Sequence, residues 1–249
     1  MKSVSMHFKP FIVFAALEHS TYVSKHRACV YLSMSFLKNL RGFPRAILMG
    51  FVAPIIAIGC ILAAIGLSPN FDWVTNALSD LGHYTRTDIG PNPLLRAVIF
   101  NSGLIIAGIL LFIVILILIK RLNDLLTQIA FLPFALASAF VAAIGIFSEN
   151  FGAIHFYVSV GFFASFPFAM WFVGLSWLRF PGLRWFSVVS LLLPFFSVYI
   201  WRGTFNGSVP WMGMAIPEIL TALTAILWVW ALLWLEAEGS LDVLFPSVE

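Results

Sequence analysis

Residues 94–119 read LLRAVIFNSGLIIAGILLFIVILILI, with Arg96 as the sole charge. A helix rising about 1.5 Å per residue crosses a ~30 Å hydrocarbon core in about 20 residues, so this run is long enough to span a bilayer. Its backbone polar groups can be satisfied in lipid only within a helix or a closed barrel. The run shows none of the alternation of a barrel strand, so it reads as a transmembrane helix. Five further apolar runs share this character, at 46–67, 127–147, 156–178, 185–201 and 216–235. The 185–201 run is the shortest. Pro54, Pro133, Pro167 and Pro194 lie inside four of the six runs and are expected to kink rather than break them.

Composition agrees with a membrane protein. Of 249 residues, 61% are hydrophobic and 10% are charged, against roughly 25% charged in soluble domains. The formal net charge of +3 is small. No Lys/Arg-rich run suggests a nucleic-acid partner. Cys29 and Cys60 are too few for a disulfide framework, and Cys60 reads as a packing residue. The expected fold is all-α: a polytopic six-helix transmembrane bundle over 46–235, with a segment 1–45 before it and a tail 236–249 after it. Within that first segment, 1–33 reads as a disordered tail or as an upstream extension of a chain starting at Met34.

Orientation follows from the loops. Lys38, Arg41 and Arg45 precede the first run, Lys120 and Arg121 follow the second, and Arg179 and Arg184 follow the fourth. The positive-inside rule then places both termini in the cytoplasm of a cell-membrane protein. The connections 68–93, 148–155 and 202–215 face outward. They carry most of the remaining chemistry, while the inner face offers basic anchors.

The longest polar island is 68–93, SPNFDWVTNALSDLGHYTRTDIGPNP. Ser68 with Pro69 suits a helix start and Gly82 a stop. Asp72, Asn76, Ser79 and His83 recur at helical spacing, opposite an apolar series of Phe71, Val74, Leu78 and Leu81. The island is expected to hold a short interfacial helix with Trp73 near headgroup level. Two arrangements are open. The helix covers the bundle as a solvated loop, or its acid and histidine side turns inward over a cavity.

Four other features join it. Asn101 in lipid needs a partner, most simply another helix, and Gly103 with Ala107 permits close approach. His155 opens the fourth run, with Ser159 one turn deeper and Glu149 six residues earlier. Such a pair can bind metal, relay protons or hold a headgroup, or simply hydrogen-bond locally. Glu218 after Pro217 suits a helix N-terminus, or seeks a partner in Arg202 or His155. The tryptophans read as an aromatic belt. Gly-x-Ser-x-Gly, P-loop, dinucleotide, haem-attachment and His-Glu-x-x-His motifs are absent from the sequence.

Trp73 with Leu78-Ser79-Asp80-Leu81-Gly82, then Asn92-Pro93, Phe100-Asn101-Ser102-Gly103-Leu104, Gly145-Ile146-Phe147 and His155 form a pattern. It resembles a family of six-span prokaryotic membrane proteins known as domain of unknown function 998. It is more distantly similar to the Frag1/DRAM/Sfk1 group. The resemblance implies a six-helix bundle and assigns no reaction. The eukaryotic relatives imply work near membrane lipids.

The leading expectation is non-enzymatic: an outward polar cavity that binds a lipid headgroup or a membrane partner protein. Its residues are Ser79, Asp80, His83, Asn101, Glu149, His155 and Glu218. The alternative is an intramembrane hydrolase acting on a lipid or lipid-linked substrate. There Asp80, His83, Glu149 and His155 hold one divalent metal ion, which needs at least three of them to converge. A transporter is a weaker alternative, because no polar path runs through the lower half.

Overall fold

In a computed structural model, residues 45–245 are described, and the expectations for 1–44 and 246–249 lie outside them. These residues form six long helices and no strand. They are α1 (Arg45–Gly66), α2 (Pro93–Arg121), α3 (Leu125–Ile146), α4 (Ala153–Trp177), α5 (Arg184–Phe205) and α6 (Ala215–Ala237). Each is long and apolar enough to cross a membrane. All four internal prolines sit within continuous helices. The fifth span is longer than its apolar run because Arg184 and Arg202 sit at its two ends.

Consecutive helices are neighbours, and α6 returns to α1 to close the ring. The contact of α5 with α6 is thinner than its contact with α4. Small residues set the close approaches. A Cβ at Gly103 would fall 2.3 Å from Cys60 Cβ, one at Gly108 2.4 Å from Ala142 N, and one at Gly145 2.5 Å from the Asn101 carbonyl oxygen. Thus α2 lies tight against α1 on one side and α3 on the other, as the Gly103 and Ala107 spacing suggested.

Trp177 and Trp228 do not belong to an aromatic belt. Both are buried, with Phe131, Phe134, Phe166 and Phe186 stacked, tilted or edge-on around them at centroid distances of 5.4–6.1 Å. Trp228 Nε1 donates to Ser190 Oγ at 2.8 Å, which lets the indole stay in the core. Trp185 and Trp234 are exposed, as a belt requires.

At the end holding Arg121 and Arg184, the chain after α6 folds back. Leu241 and Leu244 are buried in the main core, and Asn123 N–H donates to the Leu244 carbonyl. Arg121 pairs with the buried Glu236 and covers the Phe245 ring. Asp124 caps α3 through Thr127 N–H and pairs with Arg179. The residues after Ala237 are therefore packed structure as far as Phe245, within the segment expected only as a tail.

Candidate functional site

The other end carries a cap built from all three remaining connections. The first differs from its expected form. Ser68 does not start a helix; its hydroxyl donates to the Ala64 carbonyl and closes α1. Asp72 instead makes a local turn, accepting from Val74 N–H and Thr75 Oγ1. Only Leu78–Gly82 is helical, as a single 3₁₀ stretch. Local side-chain bonds from Asp72 and Asn76 compete with helix in just this way, so the anticipated face of Asp72, Asn76, Ser79 and His83 does not form.

What fixes the 3₁₀ helix is remote. Its preceding residue is Ala77, which has no capping oxygen. Glu218, at the start of α6, supplies one: its Oε2 accepts from Leu78 N–H at 2.6 Å. Asp80 Oδ2 reaches back to Ala77 N–H at 3.0 Å, as the acid of a capping box does. The third connection locks on beside it. Met212 and Gly213 N–H donate to the Val74 carbonyl, and Ala215 N–H to that of Asn76. A Cβ at Gly213 would lie 2.3 Å from that Asn76 oxygen, so glycine is required by the approach.

Asp80 is buried and pairs with Arg86, whose Nε also donates to both Asp88 oxygens at 3.0 Å. Partial desolvation opposes the Arg86 charge, yet Asp88 and Asp80 raise its pKa above the usual value. Glu149 comes from the second connection and brings its carboxyl near that of Asp80. Burial first, then the neighbouring Asp80 carboxylate, push the Glu149 carboxyl up to about 7. Its Oε2 is buried without a protein partner. Glu149 can therefore take up a proton near neutrality.

Arg96 is fully buried in the first turn of α2. It donates to three loop carbonyls: Leu81 at 3.4 Å, His83 at 3.2 Å and Arg86 at 2.7 Å. Asn101 Nδ2 donates to the Gly82 carbonyl at 3.0 Å. The partner of Asn101 is thus the cap loop, where another helix was the simplest expectation. His83 faces Asn150, whose Nδ2 lies 3.2 Å from the imidazole Nδ1 while its Oδ1 accepts from Tyr84 N–H. These contacts tie the second connection to the first.

His155 stands apart from the acids. Its Nδ1 lies 2.7 Å from the Phe147 carbonyl, which can only accept, so Nδ1 carries the proton. Nε2 is then the lone-pair nitrogen and faces Ser159 Oγ at 3.3 Å. The resulting chain runs Ser159–His155–Phe147.

Two cavities lie below the cap. One, of about 130 Å³, is inside the bundle, roofed by Leu78 and Ser79 and walled by Phe100, Leu104 and Phe166. The other is a groove of about 610 Å³ between α4 and α5, closed at its inner side by Met214 and Glu218. Pro167, Phe168 and Trp171 line its length, and Arg202 stands in the last turn of α5 at its loop end. Ser159, Phe163 and Glu218 line both spaces and stand between them.

Of the residues singled out from sequence, Ser79, Asp80, Glu149 and Glu218 meet beneath the cap. His83 and Asn101 bind its loop from other sides. His155 is engaged with Phe147 and Ser159. Among the described residues, no three His, Cys, Asp or Glu side chains are grouped to hold a metal ion. Glu218 takes a backbone partner in Leu78, where Arg202 or His155 had been candidates. Sequence reasoning missed Arg86, Arg96 and Asn150. Arg96 had a signal, since a charge inside a spanning run is costly enough to imply a partner. Asn150 had none.

Comparison with known proteins adds a family and little more. No curated protein and no solved structure matches the chain. The family described as a protein of unknown function, DUF998, matches residues 51–235, which takes in most of α1 and α6, the four helices between them and the whole cap. With most of its length and every element of the site inside that match, the chain belongs to the DUF998 family of multipass membrane proteins.

Proposed function

We propose that this protein binds a phospholipid of the cell membrane, drawn sideways from the bilayer into the groove between α4 and α5. The capped end faces outward and both termini are cytoplasmic. Arg45, Lys120, Arg121, Arg179 and Arg184 at the opposite end support that orientation through the positive-inside rule.

The observation that carries the reading is the groove itself. About 610 Å³ falls within the ~300–1,000 Å³ range of ligand sites. Its walls are apolar along the spans, which suits an acyl chain. Its loop end holds Arg202, which has no carboxylate partner among the described residues. A guanidinium at that level suits a lipid phosphate. The cap then acts as a fixed lid, holding Glu218 at the inner wall through Leu78.

Ala164 is exposed and lines the groove, so Ala164→Trp fills it without entering the core. Leu116→Trp on the exposed side of α2 is the control. The wild type and the control, purified in mild detergent, are expected to retain about one phospholipid per chain by mass spectrometry. Ala164→Trp is expected to lose it. Equal retention by all three, or none in the wild type, contradicts the reading and favours a groove used by a partner helix.

A further inference from the structure

We propose that Ser159 is a nucleophile, activated by His155, that accepts the acyl group of a membrane lipid ester lying in the groove. The inference rests on the lipid reading above and names the chemistry at that site.

The geometry supplies the parts. A serine nucleophile needs a base within hydrogen-bond reach and a third group that orients the base. Ser159 Oγ is 3.3 Å from His155 Nε2, at the loose end of such contacts before substrate binds. The Phe147 carbonyl, at 2.7 Å from Nδ1, fixes the tautomer that leaves Nε2 free to take a proton. His155 is 8% exposed, so the base is shielded, whereas Ser159 lines the open groove.

Ser159 also differs from six other hydroxyls in these helices. Ser138, Ser187, Ser190, Thr204, Thr221 and Thr224 each donate to the carbonyl four residues earlier. That is the ordinary way to satisfy a hydroxyl in a spanning helix. Ser159 makes no such bond and presents its hydroxyl to the imidazole instead.

The substrate class follows from the surroundings. The groove runs from Ser159 along Phe163, Pro167 and Trp171, where an acyl chain fits. Arg202 lies at the loop end, where the polar part of a phospholipid would sit. An ester carbonyl joins those two parts and falls near the first turns of α4. In the first half-reaction Ser159 Oγ bonds to the carbonyl carbon and its proton passes to His155 Nε2. The ester C–O bond then breaks, and the departing alcohol oxygen takes that proton. In the second half, water gives a proton to Nε2 as its oxygen bonds to the acyl carbon. Ser159 Oγ leaves and recovers the proton. The sum is ester plus water giving carboxylic acid plus alcohol.

The test is a serine-directed fluorophosphonate probe applied to the full-length protein in phospholipid nanodiscs, with the adduct located by peptide mass spectrometry. The wild type is expected to carry the adduct on Ser159. Ser159→Ala is expected to carry none while unfolding at the wild-type temperature. His155→Ala should label about 100-fold or more slowly. An unlabelled Ser159 in wild-type protein that retains lipid overturns the proposal and leaves lipid binding standing. A label that persists in Ser159→Ala overturns it too. Wild-type protein that takes the label on Ser159 yet holds no lipid before labelling would instead count against the binding reading alone.

Discussion

Gly82 brings the cap close against α2. Its φ is not positive, so its role is steric. A Cβ there would stand 2.6 Å from Asn101 Oδ1 and 3.0 Å from Phe100 Cδ1. Gly82→Ala is therefore expected to displace Asn101 from the Gly82 carbonyl and destabilise the fold by ~1–3 kcal/mol, the usual cost of overpacking. Thermal unfolding in detergent measures it, and an unchanged midpoint would show that the loop yields freely. Arg96 works by the opposite means, through bonds rather than shape. Arg96→Met would leave the Leu81, His83 and Arg86 carbonyls without their donor, at about 1–3 kcal/mol for each that stays buried. Amide exchange in the cap should rise while exchange in α3 stays as before.

At the scale of elements, the cap responds to protons. The Glu149 carboxyl is raised to about 7 in the folded protein against 4.5 in the open chain. A folded-state pKa above the unfolded one means that the protonated Glu149 stabilises the fold relative to the ionised one. That contribution is whole below about 4.5 and is lost as pH rises through about 7. Partial solvent access reduces its size to the order of 1–2 kcal/mol. The wild type should thus melt at lower temperature at pH 8 than at pH 5, and Glu149→Gln should flatten that difference. A wild-type curve with the opposite slope would mean that burial does not raise the Glu149 carboxyl.

Elements also show where sequence reading stops. The six spans were legible because lipid imposes a long apolar run and a helix, whatever the tertiary contacts. The cap was not. Its 3₁₀ helix is capped by Glu218, 140 residues away, and its turns depend on Asp72 and Asn76 bonding their own backbone. Periodicity over 71–83 suggested one amphipathic helix because spacing alone cannot register a competing side-chain bond. Glu218 after Pro217 looked like a residue serving its own helix terminus, and it serves another element's.

For the whole molecule, the same division holds. Membrane class and helix number follow from composition and run length, and the family match over residues 51–235 agrees with them. The positions of the acids at one end follow from the parity of the spans. Their meeting does not, because it depends on how three loops interlock. The groove was invisible for a similar reason: Phe156, Phe163, Phe168 and Trp171 look like any lipid-facing aromatics until the thin α5–α6 contact leaves a space behind them. The central claim is that this space holds a lipid. A phospholipid with a photoactivatable group on its acyl chain, irradiated with the wild-type protein in nanodiscs, tests it most directly. The account predicts cross-links concentrated on α4 and α5 at Phe163, Ala164, Phe168 and Val198, and displaced by Ala164→Trp. Cross-links spread evenly over the exposed residues of all six helices, Leu94 and Leu132 as much as Phe168, would contradict it.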